Sequence, residues 1–242
     1  AGIPDAQESR GLGDVYKRQV SNTTAANNTA VGALALTANT TGTQNVALGV
    51  QSLDANTTGT RNTALGSFAL GASITGNYNV AVGKGSLEAN TTADYNTALG
   101  YEALALNTTG TENTAGGSQA LYKSTTANNN TAFGYAPLYE NTTGADNTAF
   151  GHSALQKNTT GSRNTAMGSG ALDLLAGSAN NNVSIGFDSN SARTAGNDNV
   201  AVGAYCMNAT ATASNNTAVG KSAMHDLTSG YNNVSIGKQA MS

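Results

Sequence analysis

The chain has 242 residues, of which 10% are charged and 5% aromatic, with no Trp and a formal net charge of −3. A globular domain usually carries about 25% charged residues. The shortfall argues against an ordinary domain, and the absence of a basic run argues against nucleic acid or an anionic membrane as partner. No stretch of about 18 apolar residues occurs, and a single cysteine, Cys206, allows neither an internal disulfide nor a cysteine metal cluster.

Residues 1–19 do not fit the pattern that follows. They are read as a separate segment, either an artefact of sequence assembly or a short cap or linker. No signal peptide opens the chain, and it stops at Ser242, ten residues into a repeat. Both ends are those expected of a piece of a longer fibre. Residues 20–242 form the repeat domain.

From Asn28 onward, Asn-(Thr/Val)-(Ala/Ser)-apolar-Gly recurs thirteen times, with one imperfect copy. The copies start at Asn28, Asn45, Asn62, Asn79, Asn96, Asn113, Asn130, Asn147, Asn164, Asn182, Asn199, Asn216 and Asn233. Every step is 17 residues except the 18 from Asn164 to Asn182. With places counted from that Asn, the unit reads Asn-Thr-Ala-Leu-Gly-x-x-Ala-Leu-x-x-Asn-Thr-Thr-Gly-x-x. The ninth place holds Leu36, Leu53, Leu70, Leu87, Leu104, Leu121, Leu138, Leu155 and Leu172, then Met207, Met224 and Met241. The fourth holds an apolar residue in twelve of the thirteen coils, from Val31 to Ile236.

Even spacing of this kind encodes stacked coils that bury apolar faces on one another. The fold class expected is all-β: a parallel β-solenoid, or β-roll, of about thirteen 17-residue coils. A short strand at the first places sets the second and fourth on one face, since strand periodicity is two. Placing that face inward, with a second short strand around the eighth to tenth places, gives two strands per coil and a thin Leu/Val core. Gly at the fifteenth place suits a turn. Helix fits badly, because apolar places four and nine make no 3.6-residue stripe. Neighbouring coils about 4.8 Å apart would make a rod of roughly 60 Å. Equivalent asparagines would then bond in a ladder. So thin a core leaves one chain modestly stable and favours lateral association.

Three places break the pattern. Gly116 replaces the apolar fourth residue, Asn190 replaces the ninth-place Leu, and the extra residue falls within 173–181. The region from Asp173 to Asn190 is the expected soft point, with the insertion absorbed as a bulge.

The pentapeptides Asn79–Gly83, Asn199–Gly203, Asn182–Gly186 and Asn233–Gly237 resemble the head repeats of trimeric autotransporter adhesins. The longer unit Asn96–Gly110 is similar to repeats of phage-type tail-fibre proteins and related bacterial surface proteins. The resemblance covers about residues 22–242. It implies a left-handed β-roll assembled as a homotrimer, at a bacterial surface or on a virion tail fibre. The coils here are longer than adhesin-head repeats, so the cross-section is expected to differ.

No catalytic constellation, cofactor motif or metal site is expected. His152 and His225 sit at different places, over four coils apart, and read as solvated. Asp54, Glu88 and Asp173 share the tenth place without forming a paired acid system. Cys206, at the eighth place where Ala or Ser is usual, reads as a small buried residue. Sequons at Asn39, Asn56, Asn90 and Asn107 follow from the turn. Paired threonines (Thr40/Thr41, Thr57/Thr58, Thr108/Thr109, Thr142/Thr143, Thr159/Thr160) suggest hydroxyl rows. Tyr78, Tyr95, Tyr101, Tyr122, Tyr135 and Tyr139 are the candidate surface contacts, for a sugar, a protein or a trimer seam. The function expected is a rigid extracellular spacer or adhesive fibre segment whose partners are further copies of itself and a host-surface glycan or protein. The other reading is a monomeric ice- or glycan-binding solenoid.

Overall fold

The structure, a computed structural model, describes residue 21 and residues 23–241, apart from 176, 192–195, 210, 211 and 227. The segment 1–19 lies outside the described residues. Each coil contributes one three-residue strand at its second to fourth places, from β1 (Thr29–Val31) and β2 (Val46–Leu48) to β13 (Val234–Ile236). All thirteen pair in sequence order within one sheet. Pairing is parallel and in register: Ala30 stands opposite Ala47, and Ala47 opposite Ala64. The chain is a parallel β-solenoid with one strand per rung.

The ladder runs along the rod through backbone bonds at many places. The Thr29 N–H donates to the Asn45 carbonyl of the next coil at 2.8 Å, and the Gly49 N–H to the Val31 carbonyl of the coil before at 2.8 Å. Similar bonds join turn residues, as from Leu36 N–H to the Ser52 carbonyl at 3.1 Å. The turns are thereby bonded coil to coil as the strands are, which satisfies backbone groups that burial would otherwise penalise.

Two expectations are corrected. Among the described residues no coil has a second strand, and places six to eleven are turn in most coils. The ninth-place residue lies in the left-handed region in all thirteen coils, with φ between 50° and 54°. For an L-residue that conformation costs about 1–2 kcal/mol. It is offset where the Leu side chain is fully buried, a gain of about 1.5–3 kcal/mol, and by the intercoil bond its N–H makes. The bend admits the side chain to the core and closes the coil in few residues, which an extended segment does not.

The second correction concerns which strand face is inside. Second and fourth places do share a face, but it is the outer one. The third-place residue points inward: Ala47, Ala64, Ala81 and Ala98 are fully buried, while Leu48 is 48% and Leu99 41% exposed. The core is therefore Leu and Ala, not Leu and Val. A coil this narrow has room beside each ninth-place Leu for only small residues at the third and eighth places.

Coil ten, starting at Asn182 and carrying β10 (Val183–Ile185), divides that core. Ser184 and Asn190 stand buried where the preceding coil buries Ala166 and Leu172, and Ser189 stands buried at the eighth place, as Ser52 and Ser86 do. The Ser184 hydroxyl donates to the Ser189 carbonyl at 2.7 Å, and the Ser189 hydroxyl to the Ala201 carbonyl at 3.3 Å. One apolar cluster runs from Ala35 to Ala179, and a second from Ala201 to Met224. The strand register survives the insertion, with Thr165 opposite Val183. Leu175 keeps the twelfth place, its N–H donating to the Leu172 carbonyl, and the Gly177 carbonyl accepts from the Thr160 N–H and hydroxyl. Residue 176, in the segment expected to absorb the insertion as a bulge, lies outside the described residues.

Candidate functional site

Two buried asparagine columns build the corner behind the strands. At the first place, the Asn45 N–H donates to Asn28 Oδ1 at 2.8 Å, and Asn62 N–H to Asn45 Oδ1 at 2.9 Å. The Asn45 amide Nδ2 then donates to the Gly59 carbonyl at 2.8 Å. At the twelfth place, Asn56 Nδ2 donates to that same carbonyl at 3.2 Å and to Asn39 Oδ1 at 2.8 Å. The first-place asparagines from Asn45 to Asn216 have no exposed surface. The sequon residues Asn39, Asn56, Asn90 and Asn107 are equally buried, so glycosylation cannot reach them in the folded chain. These columns are scaffold, and a partner has to meet the outer faces.

The first outer face is the sheet itself. Its fourth-place column runs from Val31 to Ile236 and includes Leu48, Leu99, Phe133, Phe150, Met167 and Ile185, each 36% exposed or more. The Phe133 and Phe150 rings stack at 5.4 Å. Gly116 is the one member of the column without an apolar side chain. A Cβ on Gly116 would lie 2.3 Å from the Phe133 ring, so the ring occupies the space of the missing side chain and the column stays continuous. Second-place Thr or Val flanks it along the whole height.

Threonines form a second face. The thirteenth-place hydroxyls are engaged internally: Thr40 Oγ1 donates to the Thr57 carbonyl at 3.0 Å, and Thr108 Oγ1 to the Thr125 carbonyl at 3.0 Å. Only the fourteenth-place file, from Thr41 to Thr160, is exposed. A single file on a turn is not the paired flat array that the ice-binding reading requires.

The six candidate tyrosines do not form one site. Tyr78 and Tyr95 share the seventeenth place and stack at 4.9 Å, with the Arg61 guanidinium over Tyr78. Tyr101 and Tyr135 stand at the sixth place, Tyr101 under Lys84 and Tyr135 stacked on His152 at 5.3 Å. Tyr122 and Tyr139 stand at the tenth place, stacked at 5.1 Å and half-buried. Beside them Lys123 forms an ion pair with Glu140 at 2.8 Å.

The other titratable groups are scattered. His225 Nδ1 lies 2.6 Å from Asp226 Oδ1. Burial pushes the Asp54 and Asp173 carboxyls above the ordinary range. It pushes the fully buried Cys206 thiol up to about 11, which removes the thiolate from neutral chemistry. Among the described residues, no group of three or more His, Cys, Asp or Glu side chains is placed to hold a metal ion. No helix there is long and apolar enough to cross a membrane.

Fold and surfaces define a class, the β-solenoid repeat protein, with a polar ladder inside and an apolar strip outside. Neither a protein-family model nor a curated protein nor a solved structure matches the chain.

Proposed function

We propose that this chain is a rigid spacer and adhesive segment of an extracellular fibre, assembled from three copies along their sheet faces at a bacterial surface or on a virion. The observation that carries the reading is the uninterrupted apolar fourth-place column, roughly 60 Å tall at about 4.8 Å per coil. Monomers rarely leave a contiguous apolar patch of more than a few hundred Å2 in water. Apolar strips on three rods, packed together, supply the shared core that each thin rod lacks. The number three rests on the adhesin-head resemblance of the Asn-Val-Ala-Val-Gly and Asn-Val-Ser-Ile-Gly units. Stiffness comes from the intercoil ladder, and attachment through three chains gains by avidity.

Analytical ultracentrifugation tests it. The expected result is a stable trimer that Leu99→Asp with Phe150→Asp converts to a monomer of unchanged circular dichroism. A wild-type chain that stays monomeric at every concentration overturns the assembly.

A further inference from the structure

The tenth-place column contains a gap. It reads Glu88, Ala105, Tyr122, Tyr139 in successive coils. Tyr139 stacks on one face of Tyr122 and is not part of the cavity that Tyr122 lines, so Tyr122 turns its other face to that cavity. The preceding tenth-place residue, Ala105, is too small to cover it. Glu88 and Tyr122 stand two coils apart, roughly 10 Å along the rod, and a slot of about 350 Å3 opens between them. Such a volume is at the small end of ligand pockets, about 300–1,000 Å3.

The lining has a definite chemistry. Ala89 and Leu106 make an apolar floor over the buried Ala105, with Tyr122 a wall and Glu88 and Glu102 the charged rim. Gly85 lets both carboxylates approach: Glu88 Oε2 and Glu102 Cγ lie within 3.5 Å of where a Cβ on Gly85 would stand. Gln119 Nε2 donates to Glu102 Oε2 at 3.1 Å and holds it in place. Of the nearby cations, Lys123 pairs with Glu140 at 2.8 Å and Lys84 lies over the Tyr101 ring at 5.9 Å. The rim thus carries two negative charges with no lysine or arginine in the lining.

We propose that this slot binds an amine-bearing pyranose, a hexosamine unit of a glycan with free amino groups. The C–H face of the sugar ring lies on the Tyr122 face, as the aromatic quadrupole favours. The ammonium sits between Glu88 and Glu102 in charge-assisted hydrogen bonds, which are about twice as strong as neutral ones. Anionic sugars are repelled by the same rim. The inference rests on the adhesive half of the proposed function and names its partner, but it needs only one chain.

The test is titration calorimetry at neutral pH on the intact chain, with a short free-amine glucosamine oligomer, its N-acetylated form and a linear diamine as probes. The free-amine oligomer is expected to bind, and both other probes at least about tenfold more weakly. Tyr122→Ala and the double variant Glu88→Gln, Glu102→Gln should each lose binding at least about tenfold. Ala105→Gln fills the slot with a side chain the same place already carries at Gln156, so it should abolish binding with the fold intact. Tyr95→Ala, on another column, should leave binding unchanged. Equal binding of the acetylated oligomer or the diamine, or full binding by Ala105→Gln, overturns the site. A trimer that binds no oligomer refutes the slot alone, whereas a monomer that binds it refutes the assembly alone.

Discussion

Single residues in this chain are chosen by what stands one coil away. The clearest contrast lies between its two glycine columns. At the fifth place all thirteen glycines have φ between 122° and 145°, a region essentially closed to other residues. A Cβ on Gly100 would also meet the Gly117 carbonyl oxygen at 2.4 Å. At the fifteenth place Gly110 has no such φ. It looks equally crowded, 2.2 Å from the Ala127 carbonyl oxygen, yet Ala93 and Ala127 occupy the same place in other coils and are buried. Gly100→Ala should therefore cost several kcal/mol, roughly 3 or more from strain and clash together. Gly110→Ala should cost about 1 kcal/mol or less. Urea denaturation of the two variants measures the difference, and equal losses would mean that space, not backbone conformation, fixes the fifth-place glycine.

At the level of elements, the unit of behaviour is the coil and its contacts with two neighbours. Coil ten is the exception, because Ser184 and Asn190 put polar groups where the preceding coil buries Ala166 and Leu172. A solenoid so interrupted should open there first. Hydrogen exchange should show lower protection over 183–190 than over the equivalent residues 148–155. Ser184→Ala, Ser189→Ala and Asn190→Leu together should raise protection to that of the neighbours and join the two apolar clusters. Uniform protection in the wild-type chain would show that the polar bonds of coil ten replace the lost packing in full.

The same comparison shows how much of each coil was legible. The 17-residue phase, the parallel stack and its register followed directly from the recurring asparagine and glycine. The inward face did not, although a signal for it was present. The third place is always Ala or Ser, as a confined volume demands, whereas the fourth runs from Gly116 to Phe133, a range no narrow interior accepts. The left-handed bend at Leu104 and its equivalents had no signal, since propensity disfavours Leu there and only burial and intercoil bonding reverse the preference. Nor could the slot beside Tyr122 be read along the chain. It depends on Ala105 lying between Glu88 and Tyr122 in space, and those residues are 34 positions apart.

For the whole molecule, everything follows from one rung per 17 residues: the apolar strip and the slot exist only because equivalent places form straight columns. Pulsed dipolar EPR between spin labels on the exposed fourteenth-place file measures that spacing. The labels go on Thr41→Cys with Thr109→Cys, and on Thr41→Cys with Thr160→Cys, in a Cys206→Ala background diluted with unlabelled chain. Four coils should separate the first pair by roughly 19 Å and seven coils the second by roughly 34 Å, each narrowly distributed, at about 4.8 Å per coil. Broad distributions, or a second distance that fails to exceed the first by about three coil spacings, would contradict the stacked-column architecture.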